Sequence, residues 1–151
     1  MTIIDKIISS IQSVHGDNFP VYYHDEPTLN VIAETMSFPC AIVQLLTTGN
    51  AKIDNGQIRE SVSAAVFFVE PSEFDFDAVE NEEIIDRCKR RAFRWLLALP
   101  MDEWISLDAI ERTSRAYERF DAILTGFGVL ARLSELEGVS DCDTDEQTNE
   151  I

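Results

Sequence analysis

The chain has 151 residues, of which 28 are acidic and 12 are Lys or Arg, and its formal net charge is −16. This length favours one domain with one core, which buries roughly 68–70% of the unfolded surface. Such acidity repels phosphate and argues against free nucleic-acid binding, although the chain can associate with a basic partner. Its three widely spaced cysteines include no CxxC motif, which argues against a disulfide framework or a zinc site and favours reduced thiols in a cytosol.

The N-terminal stretch MTIIDKIISSIQSV predicts an amphipathic helix. Its isoleucines recur at helical spacing, and Thr2 with Asp5 forms a T-x-x-D capping box. Gly16 follows the last predicted turn, where glycine commonly ends a helix. Because Asp5 and Lys6 interrupt the apolar run and no small-residue cleavage site follows, we predict a core-facing helix rather than a signal or membrane segment.

Two Phe-Pro pairs introduce the apolar runs NFPVYYHD and SFPCAIVQLL, which predict strands because proline suits the first residue of a strand. The stretch EPTLNVIAETMS between them is a loop or a short turn. With the run SVSAAVFFVE, we predict a hairpin from about Pro39 to Glu70 that has a long polar connection. We expect Thr47 to Arg59 to be mobile in a free subunit and ordered in an assembly. The alternative is a tight turn at Asn55-Gly56, in which case Ala51 to Ile53 extend the strand.

The segment EFDFDAVENEEIIDRCKRR predicts the start of a second helix. Ser72 or Asp77 caps this helix, which spans about twenty residues to Leu99 and is closed by Pro100. Acidic residues lie at its start and basic residues in its middle and end, as the helix dipole favours. Its predicted core stripe consists of Ile85, Cys88, Ala92, Leu96 and Leu99.

Four arginines of this helix have i, i+3, i+4, i+7 spacing and therefore share one face. They are Arg87, Arg90, Arg91 and Arg94. The pairs Glu83 with Arg87 and Asp86 with Arg90 explain part of the pattern as intrahelical ion pairs. Two interpretations stay open: a solvated face that neutralises the chain's own acids, or a protein interface that meets an acidic surface on another copy or partner. Lys52 and Arg59, in the polar connection, complete the candidate interface.

Other chemistry has little support in the sequence. A calcium-binding loop that began at Glu73 would place Ala78 where Gly is needed and Ile84 where the bidentate Glu is needed. A phosphate site lacks the Gly-rich turn at the helix start, where carboxylates would repel the ligand. The two histidines, His15 and His24, have no nucleophile near them in sequence. We therefore predict no catalytic residue, metal or cofactor.

The remaining chain predicts a second hairpin, formed by AIERTSRAYERF and AILTGFGVLARLSEL. In the second of these strands, Phe127, Val129, Ala131 and Leu133 alternate with residues of the other face. MDEWISLD is a predicted connector that docks on the core. The final DCDTDEQTNEI is typical of a disordered acidic tail. We thus predict one α+β domain over residues 1–138 and a tail over 139–151.

The predicted class is α+β, with a mainly antiparallel sheet of about four or five strands packed by two helices in the order α-β-β-β-α-β-β. This order resembles that of the phage tail-terminator or tail-completion family, over about residues 1–136. The resemblance is carried by NFPVYY, SFPCAIVQLL, AAVFFVE, the second helix and RAYERFDAILTGFGVLARL. In that last stretch, a strand with Arg and Tyr, a polar turn and a glycine-marked strand complete the sheet.

The resemblance implies a structural virion protein, made in the host cytoplasm and located in the neck or tail. Such a subunit forms a homo-oligomeric ring at the head-proximal end of the tail, caps the tail and joins it to the head connector. Its partners are neighbouring connector and tail proteins, without a membrane or sequence-specific nucleic acid, although the genome can pass through the ring. The competing interpretation is a small non-viral adaptor or regulatory module that acts in the cell as a monomer or dimer.

Overall fold

The computed structural model describes residues 1–23, 36–72, 78–119 and 124–136. These residues form an α+β fold whose element order confirms the predicted one. The elements are α1 (Ile3–His15), β1 (Val21–Tyr23), β2 (Cys40–Asp54), β3 (Gln57–Pro71), α2 (Ala78–Ala98), a 3-10 helix (Leu99–Met101), β4 (Ile105–Arg119) and β5 (Leu124–Glu135).

The five described strands form one sheet in the order β1-β2-β3-β5-β4. Strand β1 pairs with β2 in parallel, and the other neighbours are antiparallel. Each hairpin therefore contributes one strand to the centre of the sheet, where β3 pairs with β5 from Ser61 to Pro71. The register of β4 shifts three times against β5, which makes the outer edge of β4 irregular.

Both helices pack on one face of the sheet. The main core lies between them and alternating residues of β2, β3 and β5, including Val43, Val66 and Phe68. The predicted face of the last strand is confirmed, because Phe127, Val129, Ala131 and Leu133 all belong to this core. A second, smaller cluster lies on the opposite face and contains Met36, Cys40, Ile42, Phe67, Val69 and Leu124.

Helix α1 has the predicted ends. The Thr2 hydroxyl accepts a hydrogen bond from the Asp5 backbone N–H at 3.2 Å, and the Asp5 carboxylate accepts one from the Thr2 backbone N–H at 3.0 Å. These reciprocal bonds satisfy two N–H groups that would otherwise lack partners at the helix start. At the other end, the Gly16 N–H donates to the Gln12 carbonyl. The isoleucine stripe faces the core, where Ile7 and Ile11 are fully buried.

All five residues of the predicted stripe are buried, four of them in α2 (Ile85, Cys88, Ala92 and Leu96) and Leu99 in the 3-10 helix that follows. The stripe also includes Trp95, which the sequence interpretation omitted and which is the largest fully buried side chain. The Trp95 indole N–H donates to the Ser10 hydroxyl of α1 at 2.9 Å. This bond satisfies the polar atom of a buried tryptophan and ties the two helices together.

The predicted long connection between β2 and β3 was wrong, and the alternative tight turn was right. The two strands are joined by Asn55 and Gly56 alone, with φ values of 52° and 78°. Positive φ at both central residues matches the two-residue turn whose twist suits a hairpin, and Asn-Gly is a favoured pair there. The expected mobility of Thr47 to Arg59 in a free subunit stays a prediction.

The second hairpin begins earlier than predicted. The segment beginning at Ile105, placed in a connector by the sequence interpretation, belongs to β4 and pairs with Glu135 of β5. The Asp102 carboxylate accepts hydrogen bonds from the backbone N–H groups of Trp104 and Ile105, which fixes the start of this strand. In β5, a Cβ added at Gly126 would lie 1.9 Å from the Phe68 carbonyl oxygen, so only glycine permits the close approach of β3.

Some of the predictions concern residues outside the described ranges. They include His24, most of the stretch EPTLNVIAETMS, the carboxylates from Glu73 to Asp77, and the acidic tail over residues 139–151.

Candidate functional site

The predicted arginine face, Arg87, Arg90, Arg91 and Arg94, contains an intramolecular cluster that sequence reasoning did not foresee. The Glu70 carboxylate, near the end of β3, accepts hydrogen bonds from Arg87 Nε at 3.1 Å and Arg87 Nη2 at 2.9 Å. It also accepts one from Arg91 Nη1 at 2.6 Å. We call this group the Glu70 cluster. It replaces the predicted ion pair of Arg87 with Glu83 and joins α2 to β3.

The electrostatics of the Glu70 cluster favour the charged carboxylate. Burial by itself raises the pKa of Glu70, but the hydrogen bonds and charges of Arg87 and Arg91 outweigh that effect and lower the pKa below its usual value. The pKa of Arg87 is raised, chiefly by its hydrogen bonds to Glu70. Two of the four arginines therefore already have a carboxylate partner within the chain.

The other two arginines of this face are more exposed. Arg90 forms the predicted ion pair with Asp86, four residues earlier in α2. Arg94 is exposed and has no ion-pair partner among the residues that the structure describes. Three of the four arginines thus form ion pairs within the chain, but only two carboxylates, those of Glu70 and Asp86, serve them. Whether the face also contacts another protein stays a prediction.

His15 lies beside the Glu70 cluster, where α1 ends against α2. Its Nε2 is 2.9 Å from the Arg91 carbonyl oxygen, and its ring contacts those of Phe19 and Phe68. Burial lowers the pKa of His15, and the nearby positive charges of Arg91 and Arg94 lower it further, against the effect of the Arg91 carbonyl, which raises it. The neutral imidazole therefore serves as a packed and hydrogen-bonded link between the helices.

The second candidate site is the end of the first hairpin. Residues 50–60, which we call the arm, lie beyond Ser61, the last residue of β3 that pairs with β5. Four residue pairs extend the arm past the sheet by roughly 13 Å. At its base, the register between β2 and β3 shifts between Leu45 and Gly49. Such a shift bends a strand and re-aims the residues beyond it.

The arm carries apolar side chains on one side and basic side chains on the other. Ile53 and Ile58 are direct cross-strand partners, and they are 79% and 77% exposed. The next pair, Lys52 with Arg59, projects to the opposite side because side chains alternate along a strand. Like charges directly opposite each other destabilise a sheet. The arm therefore has an exposed apolar surface and two neighbouring positive charges. Contact with a partner would bury the apolar surface and reduce the repulsion between the charges.

The structure separates the six predicted interface residues into two groups. Arg59 and Glu70 lie at opposite ends of β3, roughly 35 Å apart along the strand. Lys52 and Arg59 therefore belong to the arm, whereas Arg87, Arg90, Arg91 and Arg94 belong to the helix surface around Glu70. Sequence reasoning missed Ile53 and Ile58, although the isoleucines flanking Asp-Asn-Gly-Gln in KIDNGQIRE gave the signal.

A further exposed apolar group lies where α2 meets the 3-10 helix. Leu97 and Met101 are 80% and 86% exposed, and they are four residues apart. Met101 and Trp104 line a cleft of about 340 Å³ between α1 and the 3-10 helix. The carboxylates of Asp102 and Glu103 also lie at this cleft.

The described residues offer little to a metal ion or a reactive thiol. They contain no group of three or more His, Cys, Asp or Glu side chains able to hold a metal ion. Cys40 and Cys88 are unpaired and buried, and burial raises the pKa of each thiol to about 12. In the same part of the chain, no helix combines the length and the apolar character that a membrane crossing requires.

No protein-family model matches the chain, and no curated protein matches it either.

Proposed function

We propose that this protein is a structural virion subunit that forms a homo-oligomeric ring at the phage neck or the head-proximal end of the tail. In this position it caps the tail and joins it to the head connector. The observation that carries the proposal is the arm. It holds Ile53 and Ile58 beyond the sheet, where the described part of the chain does not bury them. The element order supports the proposal as well, since it is the order on which the family resemblance rests.

An exposed two-stranded arm suits assembly better than an isolated subunit. A hairpin without further strands is only marginally stable in water, so the arm gains most if another surface covers it. While they stay exposed, Ile53 and Ile58 stabilise the hairpin only as a cross-strand pair, by roughly 0.2–1 kcal/mol. Burying them against a partner would stabilise the complex by about 1.5–3 kcal/mol for each fully covered side chain.

The edge of the sheet is less suited to the same task. Among the described strands, β4 lies at one edge. Its three register shifts disturb the row of backbone N–H and C=O groups to which another strand would have to bond. Irregular edge strands are a common means by which proteins prevent sheet extension. The arm therefore offers a better-defined contact than edge-to-edge pairing.

The distribution of charge supports the same conclusion. Residues 50–60 contain Lys52 and Arg59 and two acids, Asp54 and Glu60, so the arm has no net charge in a chain of −16. It is thus the part of the molecule that can approach a second acidic copy with least repulsion. The acidity of the remaining chain suits a ring through which DNA passes, because acidic walls repel the phosphate backbone.

The proposal is tested by the size and shape of the purified protein. We expect sedimentation velocity to show a discrete species of several copies, and electron micrographs to show closed rings with a central opening. Mass spectrometry and immunogold labelling of phage particles should then place the chain at the neck. A stable monomer or dimer that is absent from particles would contradict the proposal and favour the adaptor interpretation.

A further inference from the structure

The four most exposed large apolar side chains, among the residues that the structure describes, form two pairs on separate surfaces. Ile53 and Ile58 make the first pair, at the arm. Leu97 and Met101 make the second pair, at the junction of α2 and the 3-10 helix. Both pairs remain uncovered within the described chain. Between two copies, the isoleucine pair of one copy can therefore pack on Leu97 and Met101 of the other.

The surface around Met101 has the shape of an acceptor. The cleft of about 340 Å³ lies directly beside this residue, between the serine-bearing side of α1 and the loop that follows α2. Leu99 and Trp104 provide apolar walls, and Ser9 and Ser13 provide hydroxyls that can bond a polar backbone. Half of the residues that line the cleft are polar or charged, so it suits a hairpin with both apolar and polar groups better than a purely apolar ligand.

The charges of the arm and the cleft are complementary. The arm presents Lys52 and Arg59, whose mutual repulsion an opposing carboxylate would relieve. At the cleft, Asp102 is committed to the two backbone N–H groups at the start of β4, whereas Glu103 is exposed on the surface. Glu103 is therefore the acid best placed to meet the bases of an incoming arm. Complementary charge of this kind sets orientation and specificity more than affinity.

The same charges disfavour the simplest alternative, in which two arms pair with each other. An arm-to-arm contact is symmetric and would bring together two copies of Lys52 and two of Arg59. Lys52 and Arg59 of the two arms would then lie close together, and their repulsion would have to be offset by Asp54 and Glu60 of the same arms. A contact between the arm of one copy and the cleft of the next keeps the two basic pairs apart, and because it is head-to-tail it can close into a ring.

The positions of the two surfaces agree with such a ring. The arm leaves the sheet beyond the pair Ser61 and Ser134, and the adjacent pair at that end is Ile105 with Glu135. Trp104, which lines the cleft, precedes Ile105 and accepts a hydrogen bond from Leu136. The base of the arm and this wall of the cleft thus lie at one end of the sheet. If the copies of a ring are related by rotation about an axis roughly parallel to the strands, every arm and every cleft lies at the same level along that axis. The arm of one copy can then reach the cleft of its neighbour.

We infer that the arm of one copy docks in the cleft between α1 and the 3-10 helix of the next copy. Ile53 and Ile58 pack on Leu97, Met101 and Trp104, while the long side chain of Lys52 or Arg59, which starts on the opposite side of the arm, extends around the edge of the arm to Glu103. The inference rests on the proposed ring in requiring several identical copies. It adds the surface, the residues and the head-to-tail sense of the contact, none of which the ring proposal specifies.

Disulfide trapping between copies tests this contact. Ile58→Cys and Met101→Cys are introduced together in a Cys142→Ser background, in which the two remaining native cysteines are buried. After mild copper-catalysed oxidation, a non-reducing gel should show a ladder beyond the dimer, because each copy offers one arm and one cleft. Mixing the two single variants should give one cross-linked dimer, whereas each single variant alone should remain uncross-linked. Bond formation requires Cα atoms within about 7 Å, so trapping reports direct contact.

The outcomes separate this inference from the proposed function. If the double variant still forms rings by sedimentation but gives no ladder, the ring proposal stands and the arm-to-cleft contact is wrong. A dimer from Ile58→Cys alone would show arm-to-arm pairing and would also overturn the inference. If the unmodified chain stays a monomer, both the ring and the contact fail.

A charge exchange supplies a second, independent measurement. Arg59→Glu should weaken assembly by roughly two- to fivefold, as expected for an exposed ion pair. Adding Glu103→Lys to the same chain should restore assembly, because the opposite charges again face each other between copies. Equal weakening with and without Glu103→Lys would contradict the assignment of Glu103. Arg112→Glu on β4 serves as a control for the change in net charge.

Discussion

The body and the arm of this protein are stabilised in different ways. In the body, Trp95 and Phe68 are fully buried, and the ring centroids of these two residues lie 6.4 Å apart. In the arm, Ile53 and Ile58 are exposed, and order depends on the turn and on pairing between only two strands. The body therefore derives its stability from its own contacts. The arm has side chains whose burial requires another surface, which is the pattern expected of an element made for assembly.

The comparison predicts that substitutions in the two regions separate folding from assembly. The strongest test of the body is Trp95→Ala, which removes the largest fully buried side chain and leaves Ser10 without its donor. We expect a loss of about 3–5 kcal/mol in the free energy of unfolding, measured by urea denaturation. Val79→Ala, at an exposed position of the same helix, is the control and should change that energy by less than about 0.5 kcal/mol. Similar losses in both variants would show that α2 is not packed as described.

The second prediction concerns the Glu70 cluster, which joins α2 to β3. Glu70→Gln removes the charge that binds Arg87 and Arg91 and leaves two guanidinium groups without a carboxylate. We expect unfolding to become easier by about 1–3 kcal/mol. Asp86→Asn breaks the exposed pair with Arg90 and should cost less than about 1 kcal/mol. The prediction is contradicted if the two substitutions have equal effects, since the partly buried ion pairs of Glu70 would then stabilise the fold no more than the exposed pair of Asp86 does.

The sequence predicted those parts of this arrangement that depend on local periodicity. The caps of α1, the core stripe of α2 and the alternation in β5 each follow from residues within a few positions of one another. The Glu70 cluster could not be predicted in this way, because Glu70 and Arg87 belong to different elements and meet only when α2 crosses β3. The helix offered Glu83 as a nearer partner for Arg87, and tertiary packing overrode that local choice.

The arm shows a different limit of sequence reasoning. Its polar, glycine-containing composition is equally typical of a long loop and of a tight Asn-Gly turn, and the loop was the wrong choice. Register decided the outcome, since pairing from Gly49 with Val62 through Asp54 with Gln57 uses every residue up to the turn. The exposed isoleucines were visible in the sequence. Their exposure became evident only once the hairpin was seen to extend beyond β5.

The third prediction uses pH to probe the link between the helices. The pKa of His15 is lowered in the folded protein, chiefly by burial, relative to a usual value of 6.5. The unfolded chain therefore binds a proton more readily, so this contribution to stability is present above pH 6.5 and is lost as the pH falls toward the folded pKa. Arg91 and Arg94, which face this histidine, add to the penalty for protonation.

Thermal melting between neutral pH and about pH 5 should show this loss in the parent protein. His15→Gln keeps a side chain able to donate to the Arg91 carbonyl but cannot titrate, so its melting temperature should depend less on pH over the same range. Glu70 titrates below this range because its pKa is also lowered. Parallel pH profiles for the parent and His15→Gln would exclude His15 as the cause.

The smallest effect on folding, and the largest on assembly, is expected from Ile53→Thr together with Ile58→Thr. Threonine is β-branched and keeps the preference for a strand, so the hairpin should persist while its apolar surface is lost. Because both isoleucines are exposed, the free energy of unfolding of the subunit should change by less than about 0.5 kcal/mol for each. Sedimentation should nevertheless show monomers where the parent forms its larger species.

The matched control is Ile110→Thr, which makes the same change at a half-exposed position of β4 outside the arm. If the double variant assembles as well as Ile110→Thr does, the apolar side of the arm has no part in assembly, and the contrast between arm and body concerns exposure alone.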